Sequence, residues 1–281
     1  MAFAMQPFTL AALLMIASGS IHAIVNAIVK GGRDKAAGRA LTDGTSAIVL
    51  LPAIFLVPLP HGAWGWLAAS AFIHCFYLYA LIRAYRIADL SAAYPVLRGT
   101  APLITALVTL GFLREPATTS EIAGIALIGA AMFVMLAGRH IGRAALGWSL
   151  ATGVCIAAYT VIDAIGVRAA PSADSYIVWL FVQMGAVVVL MFGILSRGAM
   201  FAAARAQWRP GVIAGILSIV TYGMALTAFS LGPTAPLAAL RETGMVTALL
   251  ISILFLKERA TTGRVVGVFG ILGGAALILS G

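Results

Sequence analysis

Arg98 and Arg241 lie inside long apolar stretches of a 281-residue chain. A guanidinium is always charged and offers a planar fork of N–H donors that fits a pair of carboxylate or phosphoryl oxygens. Placed in hydrocarbon it costs at least about 2.5 kcal/mol, so it needs a partner or a task. Each arginine shares a helical stripe with polar or small residues: Tyr94, Arg98 and Thr105 in one stretch, Arg241 and Gly244 in the other. Two readings follow. In one, both arginines hold an anionic or zwitterionic ligand. In the other, Glu242 or Asp163 neutralises Arg241 while Arg98 bonds backbone carbonyls freed around Pro95 and Pro102.

Further polar residues keep helical spacing. Ser18, His22 and Asn26 recur at i, i+4 and i+8, as do Cys155, Tyr159 and Asp163, so each set forms one stripe. Ser70, His74 and Tyr77 share a third face. A histidine titrates near neutrality and can carry a proton, although it can equally serve as a hydrogen bond between packed helices. The candidate ligand-contacting set is therefore Arg98, Arg241, His22, Asn26, Tyr159, Asp163, His74, Tyr77, Tyr94, Tyr222 and Glu242. Asp43 and Gln183 read as residues near the membrane interface.

The elements that must position these groups are membrane helices. Hydrophobic residues make up 62% and charged residues only 10% of the chain, against about 25% charged in soluble proteins. A bilayer core about 30 Å thick needs roughly 20 apolar residues per helix. Apolar blocks over residues 8–29, 40–57, 64–84, 92–113, 122–137, 145–167, 176–195, 211–229, 235–256 and 265–279 predict an all-α integral membrane protein of about ten transmembrane helices. Blocks rather than strict alternation exclude a β-barrel, and the first block reads as a retained span, since no basic segment precedes it. The net charge of +9 is spread through short connections, which argues against nucleic-acid binding. Cys75 and Cys155 sit in apolar blocks and read as small hydrophobes. Neither a His-Glu-x-x-His helix nor a Gly-x-Ser-x-Gly with a placed histidine is present, so an intramembrane enzyme is disfavoured, and no cofactor or metal is implied.

The two halves are copies. At an offset of 143, residues 79–138 lie on 222–281 without a gap, with roughly 16 of about 60 positions identical. The match pairs Tyr79 with Tyr222, Arg98 with Arg241, Thr100 with Thr243, Glu115 with Glu258 and Gly124 with Gly267. Residues 1–138 and 139–281 each hold five spans. An odd number makes consecutive copies enter the membrane in opposite directions, the inverted repeat of secondary transporters, with a site near the midplane between halves.

Thr105-Ala106-Leu107 through Leu113-Arg114-Glu115 to Gly124, with its copy Thr247-Ala248-Leu249 through Leu256-Lys257-Glu258 to Gly267, resembles the EamA repeat. The resemblance covers nearly the whole chain and implies a ten-helix permease of the drug/metabolite transporter superfamily, moving a small polar metabolite across the inner membrane by alternating access. A lipid flippase of the same superfamily is the alternative. Phosphate-translocating relatives hold phosphate with basic residues on the corresponding helices, which by resemblance favours a ligand role for the two arginines. His22-Ala23, Asn26 and Lys30 are also similar to a His-Ala-x-Trp-Asn-x-x-x-Lys pattern in transporters associated with phosphonate-utilisation genes, with Val25 in place of its tryptophan. The implied substrates are a phosphonate, an organophosphate or an amino acid; the implied partners are that small molecule and the lipid bilayer, and no oligomer is required because both halves share one chain. Glu115 and Glu258 read as residues favoured by the dipole of the helix that follows each.

Loop charge gives an orientation. Connections after odd-numbered spans hold Lys30, Arg33, Lys35, Arg39, Arg86, Arg139, Arg143, Arg197, Arg205, Arg209, Lys257, Arg259 and Arg264, whereas those after even-numbered spans hold only Arg114 and Arg168. Because cytoplasmic loops collect Lys and Arg, both termini are predicted to be periplasmic, against the cytoplasmic termini that the family resemblance implies.

Overall fold

The computed structural model describes residues 6–30, 34–87, 90–137, 140–255, 257 and 260–281. Its elements are Pro7–Lys30 (α1), Lys35–Leu50 (α2) continued by a 3-10 segment Leu51–Phe55, Trp64–Ile87 (α3), Leu90–Gly111 (α4), Thr119–Val134 (α5) and Arg143–Ala169 (α6). There follow Ala173–Leu195 (α7), a short Ala199–Ala206 (α8), Trp208–Leu231 (α9), Thr234–Leu240 (α10), a 3-10 turn Arg241–Thr243, Gly244–Leu254 (α11) and Thr262–Leu279 (α12). Among the described residues the protein is all-helical, with eight stretches long and apolar enough to cross a membrane and Thr119–Val134 a shorter apolar helix. Two features escape the hydropathy blocks: the connecting helix α8, and the interruption of the ninth span at Arg241. The second span starts at Lys35, because Asp34 caps it by accepting from the Ala37 amide at 2.9 Å. Arg39 is thereby a helix residue, not a loop charge.

The main packing pairs have counterparts under exchange of the halves. Helix α3 lies on α6 as α9 lies on α1, and α4 lies on α6 as the broken α10–α11 lies on α1. Helices α5 and α12 pair with each other, as do α2 and α7. Gly124 and Gly267, matched in the repeat, both serve the α5–α12 contact: a Cβ on Gly124 would meet Gly274 and Ile278, and one on Gly267 would meet Met135 and Ala131. The fourth and ninth spans also end alike. Arg114 and Lys257 take left-handed φ values of 55° and 53°, turning the chain sharply toward the next helix. Thr118 then caps α5 with a reciprocal box to Glu121, while Thr261 before α12 lacks that box because Arg264 stands where Glu121 does.

At one crossing the backbones touch directly. A Cβ on Gly19 of α1 would collide with the Arg241 carbonyl, and one on Gly244 would collide with Gly19. Glycine on both sides lets α1 lie against the 3-10 turn of the ninth span. One residue earlier on α1, Ser18 donates to the Thr221 carbonyl at 2.6 Å and Thr221 donates back to the Ser18 carbonyl, clamping α1 to α9.

Candidate functional site

The arginines meet at the centre on unequal terms. Arg98, on α4, is paired with Glu242: Nε and Oε2 stand 2.8 Å apart, and both side chains are buried. Arg241, which opens the 3-10 turn, has no carboxylate within 4.0 Å among the described residues. Its guanidinium lies over the Tyr222 ring, 5.3 Å from the centroid, and its Nε is buried without a hydrogen-bond partner. This corrects the internal assignment drawn from sequence: Glu242 neutralises Arg98, across the molecule, and neither Glu242 nor Asp163 pairs with Arg241. The helix break explains it, since a 3-10 turn swings successive side chains about 120° apart and sends Glu242 toward α4.

Asp163 is fully buried and accepts from two tyrosine hydroxyls, Tyr176 at 2.8 Å and Tyr222 on the other oxygen. Tyr176 reaches it over Gly166, where any Cβ would run into the tyrosine ring. His74 donates through Nδ1 to the Ser70 carbonyl, 2.9 Å away, and stacks on Tyr159 with centroids 4.1 Å apart. Tyr77 meets Tyr159 edge-on at 5.6 Å. Tyr77, Tyr94 and Tyr222, half-buried, pack around Leu97, Ala101, Ile156 and Tyr159. His22, half-buried on α1, lies within electrostatic reach of Arg241, Arg98 and Arg39.

Nine of the eleven candidates thus join into one contact group, His22 stands beside it, and Asn26 lies a turn further along α1 with no hydrogen bond or ring contact to it among the described residues. The stripe reading fails at Ser18, whose hydroxyl is consumed by the α1–α9 clamp. Tyr79 also departs from its repeat partner Tyr222: it is half exposed, packed against Trp148 with Arg83 on the outer surface. Gln183 donates to the Leu67 carbonyl at 3.3 Å and ties α7 to α3.

The profile of the EamA-like transporter family matches residues 143–280, from the first residue of α6 to the end of α12. The chain belongs to that family. A solved crystal structure shares the fold at 18% identity, with a TM-score of 0.72 over 96% of this chain and 95% of its own. No curated protein matches the chain.

Three parts of this EamA-type transporter were missed in the sequence. The first is Arg39, which pairs with Asp43 at 2.7 Å and lies within electrostatic reach of Tyr77 and Tyr159, so a third arginine faces the same interior. Its i, i+4 spacing from Asp43 was the available signal. The second is Tyr176, whose contact with Asp163 depends on a glycine rather than on any periodicity. The third is a latch at the face carrying the chain termini. Arg168, at the end of α6, donates to Glu115 at 2.6 Å, to the carbonyls of Phe229 and Gly232 at 2.8 and 2.7 Å, and to the Thr234 hydroxyl at 3.0 Å. Glu115 in turn accepts from the Thr234 amide at 2.6 Å. Glu115 therefore caps α10, in the other half of the chain, and not α5, whose N-terminus is already satisfied by Thr118 and Glu121. Glu258 lies outside the described residues. On the opposite face Gln207 donates to the Asp34 carbonyl at 2.7 Å and accepts from the Asp34 amide.

Proposed function

We propose that this chain is a secondary transporter that moves a small anionic or zwitterionic metabolite across the inner membrane by alternating access between two inverted repeats, residues 1–138 and 139–281, without enzymatic chemistry. Arg241 carries the reading: a buried guanidinium with an unpartnered Nε, held over an aromatic ring inside a membrane protein, is an open anion-binding position. Arg98 and Arg39 are each already matched by a carboxylate, so the site accepts one anionic group and not several. That favours a substrate bearing a single carboxylate, phosphonate or phosphate head, with Tyr159, Tyr77, Tyr94 and His22 beside it. The exchange of packing pairs between halves supports the two-repeat reading. Part-exposed His22, Asn26, Tyr77 and Tyr94 on one side, against the Arg168 latch on the other, support an interior reached from the basic face in this conformation.

The test is a ligand screen by thermal stabilisation of the purified protein, since a ligand of the native state raises its apparent stability by mass action. Stabilising anions are then followed as radiolabelled substrates in proteoliposomes. Scrambling of a labelled lipid with no transport of any water-soluble anion would replace this reading with the flippase.

A further inference from the structure

Asp163 differs from the other two interior carboxylates. Asp43 touches Arg39 and Glu242 touches Arg98, whereas Asp163, fully buried, touches only hydroxyls, those of Tyr176, Tyr222 and Ser70. The remaining interior arginine, Arg241, stands on the Tyr222 ring, so Asp163 and Arg241 contact the same tyrosine, one at its hydroxyl and one at its face. With both charged and the site empty, the set is neutral overall. An anion seated on Arg241 removes the compensating charge and leaves a carboxylate inside the membrane with neutral donors alone, an arrangement of high electrostatic cost.

We propose that Asp163 is the proton-carrying residue of the transport cycle, taking up H⁺ as an anion occupies Arg241 and releasing it as the anion leaves. The inference rests on the anion-binding reading of Arg241. The step balances with one proton drawn from the water that admits the substrate: the Asp163 carboxylate becomes a carboxylic acid, its new O–H donates to the Tyr222 oxygen, and the Tyr222 hydroxyl turns from donor to acceptor, a reversal that a phenol permits. Proton and anion then cross together, and each raises the affinity for the other by the same factor.

The neighbours leave this task to Asp163. On α3, His74 is engaged by the Ser70 carbonyl and by the Tyr159 ring, and Tyr77 packs edge-on to Tyr159. On α4, Arg98 is held by Glu242, and Tyr94 packs in the aromatic cluster. On α6 itself, Arg168 is occupied by Glu115. Helices α7 and α9 supply only the two tyrosines that already bind Asp163.

Proton uptake is measured with a pH indicator in weakly buffered detergent solution as inorganic phosphate, methylphosphonate or alanine is added, with thermal stabilisation read in parallel as the measure of binding. The wild type takes up about one proton per molecule when a probe stabilises it. Asp163→Asn, which keeps the shape of the protonated acid, is stabilised by the same probe and takes up none, and Arg241→Gln shows neither response. Stabilisation of the wild type without proton uptake, or equal uptake by Asp163→Asn, overturns the coupling role and leaves the anion site standing. If no probe stabilises the wild type, the Arg241 anion site fails and the coupling falls with it.

Discussion

Glu242 pairs with Arg98, on a helix of the other half of the chain, although its neighbour in sequence is Arg241. The pair joins the two halves at the centre of the molecule and divides the labour between two arginines that the repeat makes equivalent on paper. One is matched by a carboxylate, and the other has none within 4.0 Å among the described residues.

The division predicts opposite phenotypes. Arg241→Gln should abolish ligand-induced stabilisation and transport while the protein elutes and melts as the wild type does. Arg98→Gln strands a buried carboxylate and should destabilise by about 3–5 kcal/mol, with the double variant Arg98→Gln/Glu242→Gln recovering much of the loss. Melting curves of the four proteins decide it, and equal stability of the two single variants would contradict the assignment.

Accessibility should follow depth along α1. In a background lacking Cys75 and Cys155, cysteine at His22 or Asn26 is expected to react with a polar thiol reagent applied from the basic face, and substrate should slow the reaction at His22. Cysteine at Ser18, inside the clamp to Thr221, should stay unlabelled. Labelling at Ser18 as fast as at Asn26 would show that the interior is not organised in this way.

Loss of the latch should bias the conformational equilibrium. Arg168→Gln removes the ion pair with Glu115 and the grip on two backbone carbonyls, contacts worth about 1 to 1.4 kcal/mol together at a partly exposed site, so the ratio of the two states should move about five- to tenfold toward opening at the face of the termini. Cysteine scanning of that face in the variant and the wild type measures the shift.

Gly166→Ala should displace the Tyr176 ring from Asp163, because any Cβ at this position occupies the ring's place. The expected result is a folded protein of lowered thermal stability, by about 1–3 kcal/mol from overpacking. Gly147→Ala, with open space around it, should be silent in the same assay.

Orientation has a direct measurement. With Arg39 moved from the loops into α2, the remaining charges still crowd the connections after odd spans, so alkaline phosphatase fused after Gly281 should be active in the periplasm. A stable but inactive fusion would reverse the topology.

Much of the fold was legible because hydrocarbon imposes a simple rule: blocks of apolar residues must be helices long enough to cross. The matched positions were legible because Arg114 and Lys257, and Gly124 and Gly267, do the same backbone work twice. The candidate residues were legible as polar groups in apolar blocks, since a charge or a histidine there is conspicuous. Their partners were not. Which carboxylate meets Arg98 depends on a helix break that hydropathy does not register, and the capping of α10 by Glu115 depends on two loops 119 residues apart in sequence meeting at one face.

Side-chain contacts between helices have play, because a rotamer can turn and absorb a small shift of one backbone against the other. Between Gly19 and Gly244 nothing is available to turn. A displacement of α1 is handed to the 3-10 turn undiminished, and Arg241 is carried with it. Arg241 is then geared to the first helix of the opposite half, so on the proposed anion-site reading the charge it holds would change sides as a passenger on a moving part and not as cargo waiting behind a door.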